Sequence, residues 1–467
     1  MSVTSELSER IVATGPAELG PAELGAATRR AAQRLVIDGL AVGVAGSREA
    51  AIQLLVDHHL AVGSSTQTTV LGHGVRLGIV AAAGVNGAAM HVLDYEPMWS
   101  PANHAVSTTL PVVMALADVL DVSGDDVLTA LVKGIEIQGW IRYASRQWEA
   151  GELLFHPPGV VGPIGAAVAA GHLLALDAGK LRHAMGIAAS RSGGLMANVG
   201  TMTKSLHCGG AAAAGLEAAL LAGRGFTANP DIFDAARGFP AAFSPHFVPA
   251  DLAGFGPPFR MVDPGYALKL FPCQYGTHFG IRAGLAARQA IPDPAEIRSV
   301  RLTAPVMGYV DRPRPSTGLD GKFSLQYTLA AALLDGSVGL DTFTDERLTR
   351  ADMQGLLTRI ELIADPSIPG RFEDMHVLVD VEARDGTSVR ERCDGPRGMW
   401  GAPEVPDSEH SAKVVDCLGR VLGPSAVDQV VELADRFASL TNVELRHLNE
   451  LTGQPPTSGS PTPREGS

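Results

Sequence analysis

Apolar residues recur at three- to four-residue spacing through much of the first 265 residues, and that period predicts helices. In 26–42, Ala27, Ala31, Leu35 and Ile37 keep the spacing, and segments 50–59 and 68–93 continue in kind. In 127–143, Leu128, Leu131, Ile135 and Ile141 fall roughly on one face, behind Asp125 and Asp126, which suit a helix N-terminus. Apolar runs at 105–120 and 160–176 and the segments 177–191 and 208–223 complete a helical set. The stretch 225–264 is dense in Phe, Pro and Gly and predicts loop with short helices.

The pattern changes after about residue 267. Residues 297–303 alternate as a strand does, and 323–334 read as a helix. Strands are expected at 358–363 and 375–383, the latter joined through Asp385-Gly386 to 387–393 as a hairpin. Helical spacing returns at 408–422 and 425–449. The fold class expected is mainly α, with an all-helical domain over 1–266 and a smaller α+β domain over 267–404. Residues 405–451 should pack as helices on the first domain, and the polar 452–467 should be a disordered tail.

Three junctions carry the candidate chemistry. Asp94 to His104 is a Pro-containing loop ahead of the run at 105; Phe155-His156-Pro157-Pro158 precedes the run at 160. Lys204 and His207 lie in a polar loop ahead of an Ala-rich helix expected to start near Cys208. Proline near a first helical position sets where a helix begins. A cation and an imidazole at a helix start, with free N–H groups and the positive dipole end, suit an anion. Together the junctions predict one site built from loops on a rigid helical scaffold.

Composition narrows the class. At 467 residues the chain is too long for one ordinary core, and its 46% hydrophobic content with only 5% aromatics fits helices packed through small side chains. The net charge of −13 and the lack of a basic stripe argue against nucleic acid as a partner. Cys208, Cys273, Cys393 and Cys417 are far apart, so neither a disulfide framework nor a zinc ribbon is expected. The first fifteen residues are charged and lack an apolar core, unlike a signal peptide. The apolar stretch at 78–93 is interrupted by Asn86, His91 and glycines and is too short to span a membrane. A soluble cytoplasmic protein is expected.

Familiar motifs are missing. There is no G-x-S-x-G, H-E-x-x-H or P-loop, and Gly72 to Gly78 has one residue too many for the dinucleotide fingerprint. The histidines do not cluster at metal-ligand spacing. No metal or cofactor is expected. Acid–base and electrostatic chemistry by Asp, His, Lys and Tyr remains.

Six segments then carry a resemblance. They are HVLDYEPMWSPANHAVSTTLPVVMALAD, KGIEIQGWIRYA, FHPPGVVGPIGAAVAAGHLL, GTMTKSLHCGGAAAAGLEAALLAGRGFT, KLFPCQYGTHFGIRA, and Tyr309 with Arg312-Pro313 ahead of FSLQYTLAAALLDG. In this order, from about residue 30 to 440, the chain resembles the MmgE/PrpD family. That family includes 2-methylcitrate dehydratase, cis-aconitate decarboxylase and iminodisuccinate epimerase. The resemblance implies a large helical domain, a smaller α+β lid domain and a homodimer. It implies catalytic roles for Asp94, His104, His156, Lys204 and Tyr309. It implies substrate contacts for His207, Lys269, Gln274, His278 and Arg312. Three departures bear on the substrate: Met98 stands where the first loop often has Thr, Gln274 where decarboxylase-like members have His, and the helix after Lys204 differs as well. Gly210 and alanines replace the usual Asn or Arg of the helix after Lys204.

The family's reactions share a carbanion or enediolate beside a carboxylate, which calls for an acid or base near carbon and cations around the carboxylates. Histidine suits the proton transfers and lysine the carboxylates. The first expectation is a cofactor-free lyase on a small di- or tricarboxylate, in the manner of 2-methylcitrate dehydratase. The alternatives are an imino- or amino-dicarboxylate epimerase, a cis-aconitate-type decarboxylase, and a non-catalytic carboxylate binder.

Overall fold

A computed structural model describes residues 1–19, 22–149, 151 and 153–456. The helical body comprises α1 (Val3–Ala13), α2 (Ala22–Gly46), α3 (Ala50–Val62), α4 (Ile79–Val92), α5 (Val106–Ala117), α6 (Gly124–Ala144), α7 (Pro157–Leu173), α8 (Ala178–Ala189) and α9 (Thr203–Gly223). At its centre α9 packs against α4, α5, α7 and α8. Small residues permit this. A Cβ on Gly209 would sit 2.2 Å from the Gly84 carbonyl oxygen of α4, and one on Gly215 would sit 2.3 Å from that of Pro163 in α7. By length and composition α9 is apolar enough to cross a membrane, yet 56% of that window is buried within the fold.

Beyond the short α10 (Phe239–Phe243), α11 (Thr277–Ala290), α12 (Gly318–Gly321), α13 (Leu325–Asp335), α14 (Asp345–Thr349) and α15 (Ala351–Leu357) accompany a four-stranded sheet. β1 (Thr68–Thr69) and β2 (Arg76–Leu77) form a small separate hairpin. The main sheet holds β3 (Ile297–Ala304), β4 (Ile360–Ala364), β5 (Val377–Ala383) and β6 (Ser388–Cys393) in the order β4-β3-β5-β6. β3 pairs parallel with β4 and antiparallel with β5, and the expected β5–β6 hairpin forms around Asp385-Gly386. α11 and α13 cover the sheet. Their core includes Phe279, Val300, Leu329 and Val379, and it takes in Met98 from the helical body. α16 (Asp407–Gly419), α17 (Pro424–Asp435) and α18 (Asn442–Thr452) return to the helical body, where Val414, Val430 and Leu448 share a core with Leu35 and Leu110.

Three expectations need correction. Residues 68–77 are a hairpin, not helix, because the chain reverses through Gly72 and Gly74, both at φ +67°. α9 begins at Thr203, so Lys204 and His207 ride on its first turns rather than in a loop. The long C-terminal helix is two. Arg436 leaves helical geometry at φ −111°, and Thr441 restarts the helix through a capping box with Glu444. The tail expected to be disordered lies outside the described residues from 457 on. Just before it, Gly74 N–H donates to the Gly453 carbonyl at 2.8 Å.

The C-terminal return is fastened by charge. Asp38 of α2 is buried with Lys413 Nζ at 2.7 Å and His410 Nε2 at 3.1 Å, and Lys413 also donates to the Tyr95 carbonyl at 2.9 Å. Burial alone would raise the Asp38 carboxyl, but Lys413 and His410 hold it below its usual range. Asp38→Ala strands a buried ammonium, and the expected loss is about 3–5 kcal/mol. A urea titration showing less than about 1 kcal/mol of loss would contradict that reading of the contact.

Candidate active site

The three junctions meet. Asp94 follows α4 in the left-handed region at φ +51°, a conformation that Asp tolerates better than most residues. His156 sits at the N-cap position of α7, with Pro157 and Pro158 starting that helix. Its own N–H donates to the Gly194 carbonyl at 2.8 Å. Lys204 comes from the first turn of α9. The loop between Asp94 and α5 is pinned by Met98, which pairs backbone to backbone with Ala267 at 2.7 and 3.1 Å, and by Trp99 N–H donating to Asn103 O at 3.0 Å.

The ion pairing centres on Asp94. Lys204 Nζ donates to its Oδ2 at 2.9 Å, and Lys269 Nζ donates to its Oδ1 at 2.5 Å and to its carbonyl at 2.6 Å. His104 Nε2 lies 3.8 Å from Oδ1. Burial alone would raise the Asp94 carboxyl, but the two lysines hold it well below the usual carboxylate range. Burial lowers Lys269, against the pull of Asp94. With two lysines and one carboxylate, the core of the site keeps one surplus positive charge while both lysines are protonated.

Imidazoles surround it. His91 packs its ring 4.9 Å from His104 and 5.3 Å from His156, and His156 Nδ1 is 3.3 Å from His207 Nδ1. Burial, helped by the lysines, pushes His104 down to about 3 and holds His91 and His156 well below their usual value. Burial and Lys204 lower the half-buried His207 too. At neutral pH these rings are neutral.

A cavity with an empty volume of about 550 Å³, its mouth included, lies against them. Asp94, His104, His156, Lys204, Gln274 and Tyr309 all line it, with Met98, Asn103, Tyr275, Phe323 and Phe372. The Tyr309 hydroxyl is raised by burial, against a hydrogen bond from Gln274. Asn103 Oδ1 and Tyr275 Oη are buried without a hydrogen-bond partner among the described residues, which leaves them for a ligand.

Other expected contacts fall elsewhere. Lys269 and His207 stand behind the lining, on Asp94 and His156. His278 is buried between Phe271 and Tyr275, its Nε2 3.4 Å from the Cys273 carbonyl, and burial pushes it down to about 3. It is a core histidine of α11 that does not line the cavity. Arg312 is tied to Asp320 and to the Val199 carbonyl, so it braces a loop and does not line the cavity either.

Sequence reasoning missed His91 and Glu96. His91 Nδ1 is 2.6 Å from Glu96 Oε1, and Lys204 Nζ is 3.0 Å from His91 Nε2. Burial pushes Glu96 up to about 8, against hydrogen bonds from Ser107. His91 was visible three residues before Asp94, but only as a polar break in an apolar stretch. The fold also gathers donors that sequence spacing kept apart. Donor atoms of His91, His156 and Cys208 lie within 4.8 Å of one another, as do those of His91, Glu96 and His104. However, both His91 nitrogens are engaged, one by an ammonium that would repel a metal cation. Burial also holds the Cys208 thiol protonated, well above its usual range. The donor set fits a hydrogen-bonded proton network better than a metal ion.

The buried rings set an acid limit to stability. His91, His104, His156 and His278 bind protons more readily unfolded, so their contribution is intact above about pH 6.5 and drains as pH falls, toward about 3 for His104 and His278. Each costs about 1.4 kcal/mol per pH unit. Glu96, at about 8, and Glu136, at about 7, act the other way, stabilising fully below about 4.5 and losing this as pH rises through 7 to 8. The opposing effects overlap above pH 4.5. Below it only the loss remains, so urea melts should show stability collapsing steeply from pH 4.5 to 3.5. A flat profile there would mean the rings are not buried neutral.

Comparison with known proteins follows the same lines. Residues 13–250 match the MmgE/PrpD N-terminal domain, and residues 271–437 match the MmgE/PrpD C-terminal domain. A cis-aconitate decarboxylase of Mus musculus is 35% identical over 384 residues, 79% of this chain and 78% of that protein. The cis-aconitate decarboxylase of Homo sapiens is 31% identical over 443 residues, 92% of each. That of Aspergillus terreus is 28% identical over 448 residues, 88% of this chain and 89% of the relative.

Proposed function

The chain belongs to the MmgE/PrpD family, and from that premise we propose that it is a cofactor-independent lyase that decarboxylates a small unsaturated polycarboxylate of the cis-aconitate kind. The observation that carries the reading is the convergence of Lys204, His104 and His156, from three separate helix starts, on one cavity. The decarboxylase names of its relatives favour this reaction over the dehydration expected first.

The reaction fits the groups present. In an acid whose double bond carries a CH2–COO⁻ group directly, the C–C bond to the leaving carboxylate breaks. Its electron pair moves through the double bond to the carbon beside a second carboxylate. Carbon dioxide departs, and the enediolate so formed needs a cation at its oxygens and one proton at carbon. Lys204 supplies the cation. His104 supplies the proton, since a bound polyanion beside a neutral imidazole favours its protonated form. No electron acceptor is needed, because the pair stays on the substrate. Met98 and Gln274 line the same cavity. They present a thioether and an amide where the resemblance leads one to expect a hydroxyl and an imidazole, so they tune which acid fits.

Purified protein mixed with cis-aconitate and related unsaturated acids should release carbon dioxide and 2-methylenesuccinate or its analogue. Hydration or dehydration without carbon dioxide would restore the dehydratase reading.

A further inference from the structure

The side of Lys204 that faces away from the cavity is as fully specified as the side that faces it. An ammonium has three N–H bonds. One of them points to Asp94 Oδ2 at 2.9 Å and a second to His91 Nε2 at 3.0 Å. Lys204 lines the cavity, and His91 and Glu96 do not. An imidazole that accepts at Nε2 must carry its proton on Nδ1. Glu96 Oε1 stands 2.6 Å from that nitrogen and accepts its N–H. The other oxygen, Oε2, accepts the Ser107 backbone N–H at 2.8 Å, in the first turn of α5. His91 is 1% exposed and Glu96 0%, so water does not compete for these bonds. A continuous chain therefore runs from the α5 backbone through Glu96 and His91 to the ammonium.

We propose that Glu96 and His91 form a positioning pair for Lys204: Glu96 fixes the His91 tautomer, and His91 holds one ammonium N–H so that the third is presented to a substrate carboxylate. The inference rests on the lyase reading and adds to it the groups that aim its cation. The other charged and titratable groups around Lys204 are Lys269, reached through Asp94, and His104, His156, His207 and Cys208. The Phe323 ring lies 5.2 Å from its Nζ. None of these does what Glu96 does, which is to accept from two N–H groups at once.

That demand gives the test an order that simple packing does not. Above about pH 8, where Glu96 is ionised, Glu96→Gln replaces two acceptor oxygens by one for the two donors, Ser107 N–H and His91 N–H. Either the helix start loses its acceptor or the imidazole tautomer reverses and turns a donor toward the ammonium. His91→Gln, although the larger change in shape, keeps one donor for Glu96 and one acceptor for Lys204. Glu96→Gln should lower kcat/KM by about 10–100-fold, the usual effect of losing a group that orients another. His91→Gln should stay within about threefold of wild type, and His91→Leu should fall with Glu96→Gln.

Nitrogen-15 NMR of the His91 ring above about pH 8, where Glu96 is ionised, reads the tautomer without any turnover: Nδ1–H in wild type, lost in Glu96→Gln. If wild type turns over acid and Glu96→Gln matches it in kcat, KM and tautomer, the positioning role is overturned. The same holds if His91→Gln, His91→Leu and Glu96→Gln all lower the melting temperature and leave kinetics unchanged. If wild type turns over no acid while the tautomer shifts as stated, the lyase reading fails and the positioning pair stands.

Discussion

Lys204→Met lowers kcat/KM by about 10³-fold, the scale of losing a preorganised charge beside a developing oxyanion. Lys204 is the one lysine or arginine among the described residues that line the cavity. Lys269 lies behind it, fully buried and engaged by Asp94 through both the carboxylate and the carbonyl. Removing Lys204 cancels the surplus positive charge of the site, so a polyanion meets Asp94 and neutral rings. Ground-state binding weakens, which raises KM. The enediolate, with more charge on its oxygens, suffers more, which lowers kcat as well. The variant should stay folded, because Asp94 keeps Lys269 at 2.5 Å. Thermal melts check the fold and steady-state kinetics the loss. A variant within tenfold of wild type would remove Lys204 from the site's electrostatics.

His104→Ala lowers kcat by about 10²–10⁴-fold with little change in KM, as expected for a proton donor. His104 lines the cavity with Nε2 3.8 Å from Asp94 Oδ1. Burial and Lys269 push it down to about 3, so it is neutral at pH 7. A bound polycarboxylate reverses the local balance and raises that value, which couples protonation to substrate binding. The donor must be protonated to work, so wild-type kcat should decline as pH rises through the value of the bound complex. The His104→Ala variant should lack that limb. Near wild-type turnover would move the donor to His156, whose ring is 5.3 Å from that of His91 in the same cluster.

The sequence made some of this site legible and concealed the rest for physical reasons. His156 stood out because prolines mark where α7 begins, whereas the small residues after Cys208 put the start of α9 five residues late and left Lys204 in a loop. Lys269 was visible as a cation. Its partner was not, because Asp94 lies 175 residues away and the contact is partly to a carbonyl. His91 was hidden by context. A histidine in an apolar stretch reads as a polar break, and only Lys204, 113 residues on, gives it a task. His278 shows the reverse. It lies on a helix in a segment that resembles the family, and packing places it against Phe271 and away from the cavity. In the fold, periodicity located α2, α6, α8 and β3 well. It failed at 68–77, where two glycines at positive φ outweigh an apolar run. It also failed at 436–441, where a Thr-to-Glu capping signature was present within a helical pattern.

Isotope tracing tests the decarboxylase assignment most directly. Wild-type protein is incubated with cis-aconitate in deuterium oxide, and carbon dioxide and product are measured together. Decarboxylation through an enediolate predicts one carbon dioxide for each 2-methylenesuccinate formed, with one deuterium on the saturated carbon beside the carboxylate. Deuterium exchange without carbon dioxide, or water added or lost with all carboxylates retained, would contradict it.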